Sequence, residues 1–158
     1  MARKIALVAA EASGDALGAD LVVALRKREP DLVVTGIGGP RMAEQGVISA
    51  IDIRSLSILG FIEGLKAYPR VVRLADEAAA AIAQAKPDSV VLIDSWGFTL
   101  RVAQRVRQLI PDAPLIKYIG PQVFATRPGR AKTLAAAVDH LICIHAFEAP
   151  YYAPYGLP

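Results

Sequence analysis

Ile5-Ala6-Leu7-Val8-Ala9-Ala10-Glu11-Ala12-Ser13-Gly14-Asp15 decides the fold class of this chain. Six apolar residues run without a spacer into a short turn bearing two acids, a hydroxyl and a glycine. A helical pattern, Leu17, Leu21, Val22 and Leu25, follows at once. A strand passing directly into a helix places the turn at the carboxyl edge of a sheet, where open α/β sheets hold their ligands. Its chemistry is unusual for a nucleotide site. Glu11 and Asp15 stand where a phosphate would want backbone amides and a lysine, because two carboxylates repel an anion held at a helix N-terminus. Carboxylates are good acceptors for sugar hydroxyls. The alternative for Ser13, Gly14 and Asp15 is a helix cap, with Asp15 favourable to the helix dipole.

Outward from this junction the alternation is regular. Strand-like runs lie at Leu32–Ile37, Ser89–Ile93, Leu115–Ile119 and His140–Ile144. Helical patterns lie at Gly14–Arg28, Arg70–Ala85, Phe98–Leu109, Arg130–Ala137 and Phe147–Ala153. Strands alternating with helices imply βαβ units, hence a Rossmann-like parallel sheet with helices on both faces. Pro30, Pro87 and the pair Pro111 and Pro114 close helices ahead of the next strand. The 158 residues suit a single domain, and an apolar fraction of 54% fits strands covered on both sides.

Several function classes are disfavoured. No apolar run reaches the roughly 18 residues of a membrane span, and no cleavable secretory signal follows Met1. The single Cys143 excludes an internal disulfide, so the expected compartment is cytoplasmic. Cys/His zinc spacing, a G-x-S-x-G elbow and a Walker lysine are all missing. Gly36-Ile37-Gly38-Gly39-Pro40 resembles a dinucleotide fingerprint, but its third glycine would fall on Arg41 and Pro40 removes an amide. A tight glycine turn that places Arg41 near the site is the better reading.

The net charge is +3, yet seven basic residues and one acid lie between Trp96 and Val138. That stretch is either a solvated surface or a basic face for anionic lipid or phosphate. Nucleic acid is not expected, since too few aromatic residues interleave the charges to make a stacking platform. Ser55–Leu65 breaks the βα rhythm with an apolar run followed by Lys66, Arg70 and Arg73. It is either a helix packed on the sheet or an apolar lip, carrying Leu59, Phe61 and Ile62, that meets a bilayer or acyl chains.

Candidate chemistry gathers at strand ends. Asp94 closes Val90-Val91-Leu92-Ile93 and sits at the ligand crevice by topology. It is a candidate general base, or else Asp94 or Ser95 caps the next helix. Gln122, Thr126 and Arg127 follow the fourth strand at the same edge, and His145 ends the last. Tyr151–Pro158 reads as a connector toward a further strand, which suggests a piece of a longer protein.

Six segments taken in order carry a family resemblance. They are Ala10-Glu11-Ala12-Ser13-Gly14-Asp15, Gly38-Gly39-Pro40-Arg41-Met42, Ser57-Ile58-Leu59-Gly60-Phe61-Ile62-Glu63, Ile93-Asp94, Tyr118-Ile119-Gly120-Pro121-Gln122-Val123 and Phe147-Glu148. Over essentially the whole chain these resemble the N-terminal half of the lipid-A-disaccharide synthases, inverting glycosyltransferases of GT-B architecture. The resemblance implies transfer from UDP-2,3-diacylglucosamine to the 6-hydroxyl of 2,3-diacylglucosamine 1-phosphate, without metal or other cofactor. It implies that residues 1–158 form one acceptor-binding domain and that a C-terminal UDP-sugar domain lies outside this chain. It also implies a place on the cytoplasmic surface of the inner membrane.

By the same resemblance Asp94 is the candidate base and Glu11 an acid associated with activity. Ser13, Gly14, Asp15, Arg41, Glu63, Gln122 and Arg127 are then expected at the substrate, and Leu59, Phe61, Ile62, Lys66 and Arg70 at the acyl chains or membrane. The chain departs from the family pattern at Gly97 and Thr99, where a second acid and an Asn are common. It departs again at Phe124-Ala125-Thr126-Arg127 and at His145-Ala146, in place of Trp-Ala-Trp-Arg and Leu-Pro. Two other readings stay open on the residues alone: a stand-alone nucleotide-binding module and a non-catalytic regulatory domain.

Overall fold

The computed structural model describes residues 2–57 and 64–158. In chain order they form β1 (Lys4–Ala9), α1 (Ala12–Arg28), β2 (Val33–Ile37), α2 (Pro40–Glu44), α3 (Arg54–Ser57), α4 (Gly64–Ala85), β3 (Ser89–Ile93), α5 (Trp96–Leu109), β4 (Leu115–Tyr118), α6 (Arg130–Ala135), β5 (His140–Ile142) and α7 (Ala149–Tyr152). Short 3-10 turns flank α7 at Ala146–Glu148 and Ala153–Tyr155. The five strands make one parallel sheet in the order β2-β1-β3-β4-β5. The expected parallel α/β architecture is therefore observed.

The sheet separates two apolar layers. Ala6, Val8, Val90 and Leu92 point to one side, where they meet Ala75, Ala78, Ala79 and Ile82 of α4 and Val102, Ala103 and Val106 of α5. Leu7, Ala9, Val91 and Ile93 point to the other, against Ala19 and Val22 of α1 and Met42 of α2. Period-two alternation with both faces covered makes β1 and β3 continuously apolar. On α5 the buried residues Phe98, Val102 and Val106 recur every four positions, a stripe that packs on the sheet.

Close approach sets two glycines. Gly36, inside β2, has φ +140°, and a Cβ there would lie 1.9 Å from the Leu7 carbonyl oxygen. Only glycine lets β2 lie on β1 at this point. On α1, a Cβ at Gly18 would meet the Met42 sulfur at 2.6 Å, so the missing side chain is what brings α2 down onto α1.

Two expectations need correcting. Gly38-Gly39-Pro40 is not only a turn: Gly39 caps α2, and Pro40 takes its first position, where a missing N–H costs nothing. The basic stretch from Trp96 to Val138 does not form one face. Lys117 is buried, Arg105 pairs with Asp76 at 2.6 Å, Arg107 pairs with Asp139 at 2.6 Å, and Arg101 lies over the Tyr68 ring. At the C-terminus the Leu141 N–H of β5 donates to the Pro158 carbonyl at 2.8 Å.

Candidate functional site

Strand order reverses direction between β1 and β3, since β1 leads outward to β2 and β3 leads the other way to β4 and β5. Such a switch point opens a crevice at the carboxyl ends of the strands. Glu11 leaves β1 and Asp94 leaves β3 on the two sides of it. Beside Asp94 is a cavity of about 660 Å³. Its walls are Trp96 at the start of α5, the β4–α6 connection from Ile119 to Thr126, Arg130 of α6, and Ile144–Glu148 beyond β5.

The cavity combines a few polar groups with aromatic surface. Phe124 and Phe147 meet edge to face at 5.0 Å between centroids, and His145 stacks on Phe147 at 5.2 Å. The Arg130 guanidinium lies 5.0 Å above the Trp96 ring, a cation–π contact that holds the charge at the rim. Tyr152 of α7 is buried and its hydroxyl donates to the Pro121 carbonyl at 2.6 Å. This bond ties the C-terminal helical turn to the Gly120-Pro121 corner and fixes one wall. Burial, with smaller contributions from Cys143 and Glu148, pushes the Tyr152 phenol up to about 12.

Asp94 is half-buried, and its carboxylate takes no hydrogen bond or ion pair among the described residues. The capping alternative is not realised, because neither Asp94 nor Ser95 makes a side-chain bond to the first turn of α5. The backbone is what is held. Asp94 and Ser95 sit at φ +47° and +38°, Ile119 at +67° and Arg127 at +49°. Left-handed non-glycine residues, above all a β-branched one, are costly and gather where surroundings enforce a function.

Residue 117 was expected at the surface, and the structure buries it. Lys117, in the middle of Leu115-Ile116-Lys117-Tyr118, is 2% exposed. Its ammonium donates to the Asp94 carbonyl and, at 2.7 Å, to the Thr99 hydroxyl. Burial lowers its pKa from 10.5 to about 7, and the nearby Asp94 charge opposes that shift. One signal was available in the sequence: a lone charge in a run whose neighbours demand a covered face. Glu148 is likewise buried, its carboxylate accepting the His145 N–H at 3.0 Å.

The remaining expected residues divide. Gln122 lines the cavity and Arg127 is exposed beyond its rim. Ser13 and Glu11 are exposed at the β1 edge, and Glu11 makes no side-chain capping bond to α1. Gly14 is buried against Ala9 and the Ile93 carbonyl, where it serves packing. Arg41 is exposed on α2 near Glu44, at 4.0 Å. Asp15 needs a correction as a sugar ligand. It is 1% exposed, and its carboxylate accepts the N–H groups of Gly39, Arg41 and Met42 at 2.8, 2.9 and 3.0 Å. It has no oxygen to offer outward. The same bonds occupy the amides that a dinucleotide phosphate would need after β2. Glu63, Leu59, Phe61 and Ile62 lie outside the described residues, as does the side chain of Lys66; Arg70 is exposed on α4.

Among the described residues no group of three or more His, Cys, Asp or Glu side chains is arranged to hold a metal ion. No helix among them is long and apolar enough to cross a membrane.

The fold has solved counterparts. The S. aureus MnaA–UDP co-structure matches with a TM-score of 0.62 at 10% identity, over 99% of this chain and 41% of that one. UDP-N-acetylglucosamine 2-epimerase from Rickettsia bellii matches with a TM-score of 0.57 at 14% identity, over 100% and 43%. In sequence the chain is 45% identical to the lipid-A-disaccharide synthase of Bradyrhizobium diazoefficiens, over 99% of its own length and 40% of the relative's. It is 43% identical to that of Rhodospirillum centenum and 41% to that of Myxococcus xanthus, with similar coverage. It spans about two fifths of the length of these relatives. The family model described as lipid-A-disaccharide synthetase matches residues 5–158, and the chain belongs to that family.

Proposed function

We propose that this chain is the acceptor-binding domain of an inverting GT-B glycosyltransferase that makes the lipid A disaccharide. In this reading the 6-hydroxyl of 2,3-diacylglucosamine 1-phosphate attacks the anomeric carbon of UDP-2,3-diacylglucosamine. The new glycosidic bond forms as the bond to UDP breaks, UDP leaves with the electron pair, and Asp94 takes the hydroxyl proton. A positioned base of this kind contributes about 10²–10⁴-fold.

The observation that carries the reading is the Asp94 carboxylate: without a hydrogen bond or ion pair among the described residues, half-buried and held on a left-handed corner beside a cavity at the strand ends. Glu11, exposed at the end of β1 on the other side of the switch point, is the second acid of the reading. Gln122 and Ser13 supply hydrogen bonds to sugar hydroxyls. Arg130 at the rim and Arg127 beyond it supply positive charge for the acceptor phosphate, and the faces of Phe124, Phe147 and Trp96 suit the apolar side of a sugar. Residues 55–73, with exposed Arg70, are the proposed contact with acyl chains and the cytoplasmic face of the inner membrane. Donor binding belongs to a second domain, so the 158-residue chain alone binds acceptor and turns over little or not at all.

The test is Asp94→Asn in the full-length protein. Turnover falls at least 10²-fold with fold and acceptor binding kept; retained turnover moves the base elsewhere, to Glu11 first.

A further inference from the structure

Lys117 is buried and has no carboxylate bonded to it among the described residues, which is an expensive state for an ammonium group. Around it stand Leu92, Trp96, Leu100, Ala103, Leu134 and Val138, contributed by β3, α5, α6 and the turn after α6. A methionine or leucine would suit these neighbours better. What the ammonium does contact is specific: the Asp94 carbonyl and the Thr99 hydroxyl. The Thr99 hydroxyl in turn lies 2.8 Å from the Asp94 carbonyl and 2.7 Å from the Ser95 carbonyl. The Asp94 N–H donates to the Tyr118 carbonyl at 2.9 Å. Two consecutive residues of β4 thus grip both backbone polar groups of Asp94.

We infer that Lys117 is a positioning residue for the transfer reaction: its ammonium group, with Thr99, holds the Asp94–Ser95 corner in its left-handed conformation and so aims the Asp94 carboxylate into the cavity. The inference rests on the proposed role of Asp94 as base. A left-handed serine after a left-handed aspartate does not persist unaided. Extended or right-handed backbone at either residue would swing the carboxylate away. The Asp94 carbonyl faces the buried side of the corner, so it needs donors, and Lys117 and the Thr99 hydroxyl are the side chains that reach it. The apolar wall accounts for the choice of a long side chain, whose four methylenes cross the layer between the sheet and α5.

The experiment measures Lys117→Met in the full-length protein, alone and combined with Asp94→Asn. The expected result is a split. Lys117→Met unfolds at the same or higher temperature than the parent, because the buried charge is gone. Its kcat falls about 10²-fold while the acceptor KM changes less than about twofold, as for a misplaced group. Added to Asp94→Asn, it causes no further loss, because both act through one carboxylate.

Unchanged kcat in Lys117→Met, or losses that multiply in the double variant, would overturn the inference while leaving the base reading intact. Full activity in Asp94→Asn would instead remove the base reading. If Lys117→Met does not fold, Thr99→Val reads the same bracket through its other member, and a kcat reduced several-fold at constant KM is the result expected. An unchanged kcat there overturns the inference.

Discussion

The carboxylate of Asp15 on α1 holds the backbone N–H of Met42 on α2 at 3.0 Å, and takes the N–H groups of Gly39 and Arg41 as well. One buried side chain therefore satisfies three of the orphan donors that a helix start exposes, across 24 to 27 positions of sequence. Asp15→Ala leaves those donors buried and unpaired. Charge-assisted bonds of this kind put the loss at about 3 kcal/mol. Urea unfolding should show a lower midpoint at an unchanged slope, and a midpoint matching the parent would mean that α2 does not depend on Asp15.

Gly36→Ala tests the packing of β2 on β1. The added Cβ would collide with the Leu7 carbonyl, from a backbone conformation that L-residues rarely adopt. The two costs together come to about 3 kcal/mol or more, so the variant should be largely insoluble or unfold at far lower denaturant. Parent-like stability would show that the strands can separate here without cost.

Lys117 gives stability a definite pH dependence. Its folded pKa, about 7, lies below its ordinary value of 10.5, so between those limits the unfolded chain binds more protons. Stability then rises with pH across that window. The penalty is fully present below about pH 7 and relieved toward 10.5. Each pKa unit is worth about 1.4 kcal/mol, so the total is several kcal/mol. Unfolding followed at pH 7, 8, 9 and 10 should show the rise in the parent and its absence in Lys117→Met. Equal slopes in the two proteins would place the neutralising group elsewhere.

Tyr152 acts in the opposite direction at higher pH. Its phenol is held protonated up to about 12, whereas an unfolded tyrosine ionises near 10. The stability it contributes is complete below pH 10 and lost as pH climbs from 10 to 12. Tyr152→Phe removes the bond to Pro121 at a cost of about 1 kcal/mol. It should also remove the late phase of phenolate absorbance from a titration of the five tyrosines. If that late phase persists in the variant, it belongs to another ring.

The strands were legible because burial on both faces writes itself as uninterrupted apolar runs, and β3 begins and ends where its residues indicate. The site edge was legible for the same reason: Asp94 and Glu11 end two such runs. Helix α2 was not, because what starts it is a carboxylate on a different helix rather than a side chain of its own. Lys117 was not, because Leu115-Ile116-Lys117-Tyr118 is also what an edge strand with one wet face would carry. Only the covering of that face by α5 and α6 makes it a buried cation.

The order of apolar runs and turns by itself determined a parallel α/β sheet and pointed to the edge where acids end its strands, and six motifs in order carried the family resemblance. The division of labour at that edge was decided by tertiary structure. Asp15 and Asp94 are both acids just beyond a strand, and local sequence does not separate them. Asp15 meets three inward-facing amides and becomes a bolt between helices. Asp94 has its backbone gripped from β4, and its carboxylate beside the cavity has no hydrogen bond or ion pair among the described residues. The physical reason is that hydrogen-bond satisfaction depends on which donors the fold brings within 3 Å, and those donors come from distant positions in the chain.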